Sequence, residues 1–93
     1  MASKNDLLYR DLIIVNELGL HARSAAKLAK TAQSADKGVW LEAGGQRVDA
    51  KQILDLLTLG AAQGMAIRIG VDAPEDMPIL LELVALINSG FGE

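Results

Sequence analysis

Between residues 22 and 32, small apolar side chains recur at the spacing of one helix face. Their positions are Ala22, Ala25, Ala26, Leu28, Ala29 and Ala32. Because methyl groups project so little, this face is flat, and a helix that carries it can lie close against a sheet. The opposite face is basic, since Arg23, Lys27 and Lys30 recur at helical intervals. The pattern predicts a helix from Ala22 to about Gln33 that packs on strands.

Four short segments around this helix have strand patterns, and two more have helical patterns. The predicted strands are Arg10–Asn16, Val39–Ala43, Gln46–Asp49 and Met65–Val71, and the further helices are Ala50–Leu59 and about Glu75–Ser89. A chain of 93 residues forms one domain, residues 1–93, with the order β-α-β-β-α-β-α. Each helix has one apolar stripe to bury, so we expect an α+β fold with three helices on one face of a four-stranded sheet.

The second helix carries more apolar residues than one core face requires. They are Ile53, Leu54, Leu56, Leu57 and Leu59. We expect Leu56 and Leu59 in the core, and Leu54 and Leu57 at the surface. Asp49 and Gln52 have the spacing of a capping box at the start of this helix.

Composition excludes several classes of function. The chain has no cysteine and one histidine, so neither thiolate catalysis nor a metal site is expected. The net charge of −3 argues against nucleic-acid binding, which needs a basic face. Because no apolar run approaches about 18 residues, we expect no membrane insertion and a cytoplasmic location. Residues 52–93 contain Arg68 as their only basic residue, so positive charge is concentrated in the part that contains the histidine.

The single histidine lies where a turn gives way to the first helix, in the sequence Gly19-Leu20-His21-Ala22-Arg23-Ser24. The main-chain N–H groups of Ala22, Arg23 and Ser24 lack partners within the helix and should point toward the space beside the ring. These donors, the positive end of the helix dipole and the Arg23 guanidinium all favour a bound phosphate. Neutral imidazole is a nucleophile near pH 7.

Other interpretations of His21 are a simple helix cap and a hydrolase triad. A triad is disfavoured because Ser24 lies on the same first turn and the glycine-flanked nucleophile elbow is absent. A histidine beside an anion-binding helix start fits phosphoryl acceptance best.

The stretch Gly19-Leu20-His21-Ala22-Arg23-x-Ala25 resembles the phosphorylation-site motif of the HPr family, the histidine-containing phosphocarriers of the bacterial phosphotransferase system. Further similarity lies in Ala50-Lys51-Gln52-Ile53, in Leu57-Thr58-Leu59-Gly60 and in Gln63-Gly64, so that the resemblance covers about residues 8–91. The ending Ala85-Leu86-Ile87-Asn88-Ser89-Gly90-Phe91 is similar to the nitrogen-branch (NPr) members of that family.

The resemblance implies an open-faced β-sandwich with an antiparallel sheet. It also implies a carrier with a covalent phosphohistidine, in which His21 accepts a phosphoryl group at Nδ1 from enzyme I and passes it to a histidine of an enzyme IIA domain during sugar uptake. Arg23 would steady the phosphoryl group and the amides of Ala22, Arg23 and Ser24 would receive its oxygens, with no metal or cofactor.

Two positions depart from the family pattern. Family members usually have proline where this chain has Ser24. We hypothesise that the amide or hydroxyl of Ser24 adds a contact to the phosphoryl group. The alternative is that Ser24 is only a tolerated residue of the first helical turn. Gram-positive members have a regulatory serine where this chain has Gln52, which cannot accept phosphate.

A carrier needs a small docking surface with an apolar centre and a charged rim. The candidates are Arg23, Lys27, Lys30, Lys51, Gln52, Ile53, Leu54 and Leu57. We expect a monomer whose partners present acidic surfaces. Two alternatives remain: a regulatory phosphorelay carrier of the NPr type for nitrogen or stress control, and a docking regulator that transfers no phosphate.

Overall fold

The computed structural model describes residues 7–93. Four strands and three helices follow the predicted order. They are β1 (Tyr9–Ile13), α1 (Ala22–Ala32), β2 (Val39–Ala43), β3 (Gln46–Asp49), α2 (Ile53–Thr58), β4 (Ala66–Val71) and α3 (Met77–Asn88). Short 3₁₀ turns at Pro74–Asp76 and Gly90–Gly92 flank α3.

The sheet is antiparallel throughout, with the strand order β1-β4-β2-β3. Its side chains alternate between two environments, as in β4, where Ile67 and Ile69 are buried and Arg68 lies on the other face. The helices cover the buried face and leave the other open, which is the predicted α+β open-faced sandwich.

The alanine-rich face of α1 lies in the core, as predicted. Ala25, Leu28, Ala29 and Ala32 are fully buried, so the helix axis can approach its neighbours closely. The stripe is narrower than the sequence suggested, since Ala22 is exposed and Ala26 is half-buried. Helix α1 packs against both α2 and α3, and Lys27 bonds the segment that follows α3.

The open face of the sheet carries its own local packing. The Trp40 ring lies over Gly70, where an added Cβ would fall 2.2 Å from a ring carbon, so only glycine fits at that position. The Arg47 guanidinium stacks on Trp40 at 3.7 Å from the ring centroid, and Arg68 stacks on Tyr9 at 4.3 Å. The two guanidinium groups thereby cover part of each aromatic ring on this face.

The loop after α1 is tied to the start of α3 by a buried carboxylate. Asp76 is 3% exposed and accepts hydrogen bonds from the main-chain N–H groups of Asp36 and Lys37, each at 2.8 Å. The bond from Lys37, followed by that from Asp36, holds the pKa of Asp76 below its ordinary value.

Two predicted helix boundaries were wrong. Helix α2 begins at Ile53 rather than at Ala50, and no side chain caps it. The predicted capping box is absent because the Asp49 carboxylate accepts from the N–H of Lys51, two residues on. The predicted last helix likewise starts at Met77 rather than at about Glu75, since the preceding residues form a 3₁₀ turn.

The first strand is shorter at its end than predicted. It stops at Ile13, and the side chain of Asn16 turns inward to donate to the carbonyl of Gly19 at 2.7 Å. Asn16 thus belongs to the turn before α1 rather than to the sheet. Across residues 7–93, no helix is both long enough and apolar enough to span a bilayer.

Candidate functional site

The turn before α1 holds His21 in a fixed place. Gly19 has φ +64, and a Cβ there would meet the carbonyl oxygen of Ala61 at 2.6 Å, so the position requires glycine. The next residue, Leu20, donates its N–H to the same carbonyl at 2.8 Å. The chain is therefore anchored to the loop before β4 immediately ahead of the histidine.

His21 is the N-cap residue of α1, with an extended backbone at φ −123 and ψ −176. Its Nδ1 accepts a hydrogen bond from the N–H of Arg23 at 3.3 Å. A capping box closes in the other direction, because the N–H of His21 donates to the Ser24 hydroxyl at 2.9 Å. The ring thus lies at the first turn of α1, with Nδ1 toward its main-chain N–H groups.

The Ser24 hydroxyl is occupied within the fold. The residue is fully buried, and its hydroxyl donates to the Gly19 carbonyl at 3.0 Å while accepting from His21. This arrangement gives the hydroxyl a capping role and leaves the amide as the group of Ser24 that faces the histidine ring.

The second ring nitrogen faces a carboxylate that comes from the segment after α3. Nε2 of His21 contacts Oε2 of Glu93, and the other carboxylate oxygen accepts from the Asn16 amide at 2.9 Å. The bond from Asn16, followed by that from His21, holds the pKa of Glu93 below its ordinary value although desolvation opposes this. Both side chains remain partly accessible, at 31% for His21 and 18% for Glu93.

The segment that carries Glu93 is itself fastened to α1. Phe91 is buried, and its carbonyl accepts a hydrogen bond from Nζ of Lys27 at 2.6 Å. Phe91 is also the one residue other than glycine, within the described range, that has positive φ. An L residue adopts this backbone at a cost that its buried ring and the lysine bond offset.

There is room beside the ring for a transferred group. His21 lines an open depression of about 530 Å³ together with Leu18, Ala22, Arg23, Lys27, Gly92 and Glu93. The Arg23 guanidinium has no hydrogen-bond or ion-pair partner among residues 7–93, so it can turn toward a bound anion.

The predicted docking residues fall into two groups. Exposed as expected are Arg23, Lys27, Lys30, Gln52, Ile53 and Leu54. Leu54 is the most open at 77%, whereas Leu56 is fully buried. Lys51 and Leu57 are half-buried, because Lys51 Nζ donates to the carbonyl of Ala35 and Leu57 packs against the core. Leu59, predicted in the core, also lies half-buried at its edge.

Sequence reasoning missed three residues at this site: Asn16, Leu18 and Glu93. Asn16 could have been recognised, because it directly precedes a glycine-containing turn and asparagine side chains commonly bond nearby main chain in turns. No local pattern indicates Glu93, which is 72 residues from His21 in the chain. Leu18 is 70% exposed and adds an apolar surface next to the ring.

The arrangement defines a class of protein. The partly accessible ring of His21 has Nδ1 toward a main-chain donor of a helix start, with Arg23 at the rim and open space beside them. These are the requirements for receiving a phosphoryl group on histidine. The site is that of a protein that carries a phosphoryl group rather than one that encloses and converts a small substrate.

Comparison with known proteins defines the family. Residues 8–89 match the family described as "PTS HPr component phosphorylation site", and the chain belongs to this HPr family of phosphocarriers of the phosphotransferase system. It is 39% identical to the phosphocarrier protein HPr of Cupriavidus necator over 87 residues, which cover 94% of this chain and 98% of that protein. It is 38% identical to the phosphocarrier protein NPr of Escherichia coli over 81 residues, covering 86% and 90%.

Solved structures agree with this assignment. HPr-C-His of Thermoanaerobacter tengcongensis superposes with a TM-score of 0.86 at 34% identity, covering 91% of this chain and 96% of that one. The phosphocarrier protein HPr of Bacillus anthracis gives a TM-score of 0.79 at 25% identity, covering 85% and 94%. Membership of the family implies enzyme I and enzyme IIA proteins as partners.

Proposed function

We propose that His21 is the phosphoryl-carrying residue, which accepts the group from enzyme I and passes it to a histidine of an enzyme IIA domain. The observation that carries this proposal is the placement of His21 as the N-cap of α1, with Nδ1 toward the first-turn N–H groups and space beside it. A phosphoryl group on Nδ1 would lie where those donors and the helix dipole stabilise its charge.

Arg23 and the amides of Ala22, Arg23 and Ser24 hold the phosphoryl oxygens in this proposal. The guanidinium supplies a mobile positive charge at the rim, and the amides supply fixed donors. The N–H of Arg23, which donates to Nδ1 before transfer, would turn to a phosphoryl oxygen once Nδ1 carries the group.

Partner docking is proposed to use the surface formed by Ile53 and Leu54 with the basic rim of Arg23, Lys27 and Lys30. The packing of α1 against α2 supports a docking surface that extends over both helices. Acidic partners would be steered to it electrostatically. Transfer from enzyme I should therefore slow as salt is raised, because the Debye length falls from about 10 Å at 0.1 M to about 3 Å at 1 M.

The destination of the phosphoryl group is proposed to be sugar uptake, with a regulatory nitrogen or stress relay as the second candidate. The sequence identity to the NPr protein of Escherichia coli is nearly as high as that to the HPr protein of Cupriavidus necator. This supports retaining both sugar uptake and the regulatory relay as candidate destinations. Phosphorylated protein offered separately to a sugar-type and a nitrogen-type IIA domain distinguishes them by the rate at which each takes the label.

The carrier role is tested by incubation with enzyme I and labelled phosphoenolpyruvate. We expect acid-labile, alkali-stable label on the wild type and none on His21→Ala. Arg23→Ala should remain labelled but exchange the group more slowly. Label that persists in His21→Ala, or none on the wild type where another HPr protein is charged, contradicts the proposal. A His21→Ala protein that keeps full cellular function would instead favour a docking regulator.

The contribution of Ser24 is tested by Ser24→Pro, which removes both the amide donor and the hydroxyl. If the amide holds a phosphoryl oxygen, the lifetime of the phosphohistidine changes. An unchanged transfer rate and lifetime would leave Ser24 as a first-turn residue with a capping role alone.

A further inference from the structure

The open face of the sheet carries a row of charged side chains that crosses all four strands. Strand pairing places Arg68 beside Asp11 on one side and beside Glu42 on the other, and it places Glu42 beside Arg47. In the order β1-β4-β2-β3 the row is Asp11, Arg68, Glu42 and Arg47. The charges therefore alternate from negative to positive twice, and the row is neutral although the chain carries a net charge of −3.

Reversing the order of this row changes the sign at every position. A second copy that faces the first across a two-fold axis parallel to the strands presents the row in reverse, so that β1 faces β3 and β4 faces β2. Asp11 of each copy then faces Arg47 of the other, and Arg68 faces Glu42. A two-fold axis across the strands would instead set Asp11 against Asp11. The charges favour the first arrangement and oppose the second.

The neighbouring row on the same face is compatible with this arrangement. It consists of Tyr9, Gly70, Trp40 and Asp49 in the same strand order. Reversal brings the Tyr9 hydroxyl, a donor, opposite the Asp49 carboxylate, an acceptor. The Trp40 ring leans over Gly70 of its own sheet, so the tryptophan rings of the two copies lie over different strands and pass beside each other.

Both arginines have donors left for a second carboxylate. Arg68 uses Nε and Nη2 on Asp11, and Arg47 uses Nε and Nη2 on Glu42. A guanidinium has five N–H donors, so the Nη1 group of each can bind a carboxylate of a facing copy. The side chains are accessible, at 40% for Arg68 and 52% for Arg47.

We propose that the open face of the sheet is the interface of a two-fold symmetric homodimer, in which this row of each copy pairs with its own reverse. Two sheets that pack face to face with nearly aligned strands are a common arrangement in proteins. The helices cover the other face of each sheet, so His21 and the proposed docking surface stay outside the dimer. The inference does not depend on the carrier function, and it departs from the monomer expected from the sequence.

The size of the face predicts a weak dimer. Four strands at about 4.8 Å spacing, each of about five residues at about 3.4 Å, give a flat area of roughly 300 Å² per copy. Stable complexes bury about 800 Å² per partner. We therefore expect a dissociation constant of about 0.1–1 mM, which should rise with added salt because the charge pairs at the edges are screened.

The test uses two variants with opposite charge reversals, Asp11→Arg and Arg47→Glu. Each alone sets like charges against each other at both ends of the interface, so its dissociation constant should rise about tenfold or more by sedimentation equilibrium. Mixed in equal amounts, the two variants form a heterodimer in which every facing pair again joins opposite charges. Its dissociation constant should return close to that of the wild type. The Asp11–Arg68 and Arg47–Glu42 pairs stay broken in the mixture, so this recovery reports contacts between copies.

The matched controls are Glu82→Arg and Lys30→Glu, which change the net charge by the same amounts at exposed positions on the helices. Each should dimerise like the wild type, and their mixture should associate no more tightly. In a titration of ¹⁵N-labelled Asp11→Arg with unlabelled Arg47→Glu, amide shifts should lie in the four strands and not in the helices.

Three results would overturn the inference. The first is a wild type that stays monomeric at about 1 mM and above. The second is a mixture of Asp11→Arg and Arg47→Glu that associates no more tightly than either variant alone. The third is a control mixture that gains as much as the test mixture, because net charge rather than the facing rows would then drive association.

Discussion

Helices α1 and α2 differ in how their first turns are capped and in how much of their surface is buried. Each begins after a residue with extended backbone, His21 for α1 and Gln52 for α2. The start of α1 is closed by a capping box and four of its eleven residues are fully buried apolar side chains, whereas α2 has six residues, no side-chain cap and one buried residue, Leu56. The proposed chemistry requires a fixed nucleophile and the proposed docking requires exposed apolar area, and α1 and α2 would each supply one of these.

The largest expected contrast between the helices is in stability. Leu28→Ala removes a fully buried side chain of α1 and should lower the free energy of unfolding by about 2–5 kcal/mol. Leu54→Ala, at an exposed position of α2, should change it by no more than about 0.5 kcal/mol. Denaturant unfolding of both variants measures this, and a Leu54→Ala protein as unstable as Leu28→Ala would remove the distinction.

The second contrast concerns docking. Leu54→Asp places a negative charge at the centre of the proposed docking surface, and we expect the KM for enzyme I to rise about tenfold, or about 1.4 kcal/mol, with an unchanged midpoint of unfolding. The matched control is Leu81→Asp, an exposed leucine of α3 outside that surface. Steady-state labelling kinetics give both values. Equal effects at the two positions would mean that charge alone, and not a contact at α2, changes the KM.

The third contrast concerns the helix starts themselves. Ser24→Ala opens the capping box and leaves the Gly19 carbonyl without its hydroxyl donor, so it should cost roughly 1–2 kcal/mol of stability. Gln52→Ala should cost almost nothing, because the Gln52 side chain makes no cap. Thermal and denaturant unfolding compare the two, and similar losses would show that α2 has a capped start after all.

The smallest expected effect is on hydrogen exchange in the loop after the C-terminal end of α1, where Asp76 accepts two main-chain hydrogen bonds. Its pKa is lowered chiefly by the N–H of Lys37 and then by that of Asp36, so its stabilisation is complete above the ordinary value of 3.8 and is lost as the pH falls further through the lowered value of the folded protein. In this acid range the amides of Asp36 and Lys37 should lose protection from hydrogen exchange before those of α1. In Asp76→Asn they should be weakly protected at every pH.

The elements that the sequence predicted correctly are those whose information is local. The alanine face of α1 and the patterns of the four strands each lie within about ten residues, and local residue patterns are sufficient to recognise them. The histidine and its helix start are equally local, which is why the residue pattern alone indicates His21 and Arg23 as site residues.

The features that the sequence could not predict depend on competition between hydrogen bonds or on contacts between residues far apart in the chain. The Asp49 carboxylate accepts from the N–H of Lys51 instead of capping α2, since bonds from a side chain to nearby main chain compete with helix caps. The contact between His21 and Glu93 joins parts of the chain 72 residues apart, and it depends on the burial of Phe91 and on the bonds from Lys27 and Asn16. The half-buried state of Leu57 likewise follows from how α2 lies on the core.

The stacking of Arg47 on Trp40 has a practical consequence. Trp40 is the single tryptophan of the chain, and it lies on the uncovered side of the sheet above Gly70, away from the proposed docking surface. Its fluorescence should therefore follow the integrity of the sheet and remain silent during phosphoryl exchange. The fluorescence of Trp40 can therefore be used to follow folding without interference from the binding of partner proteins at the proposed docking surface.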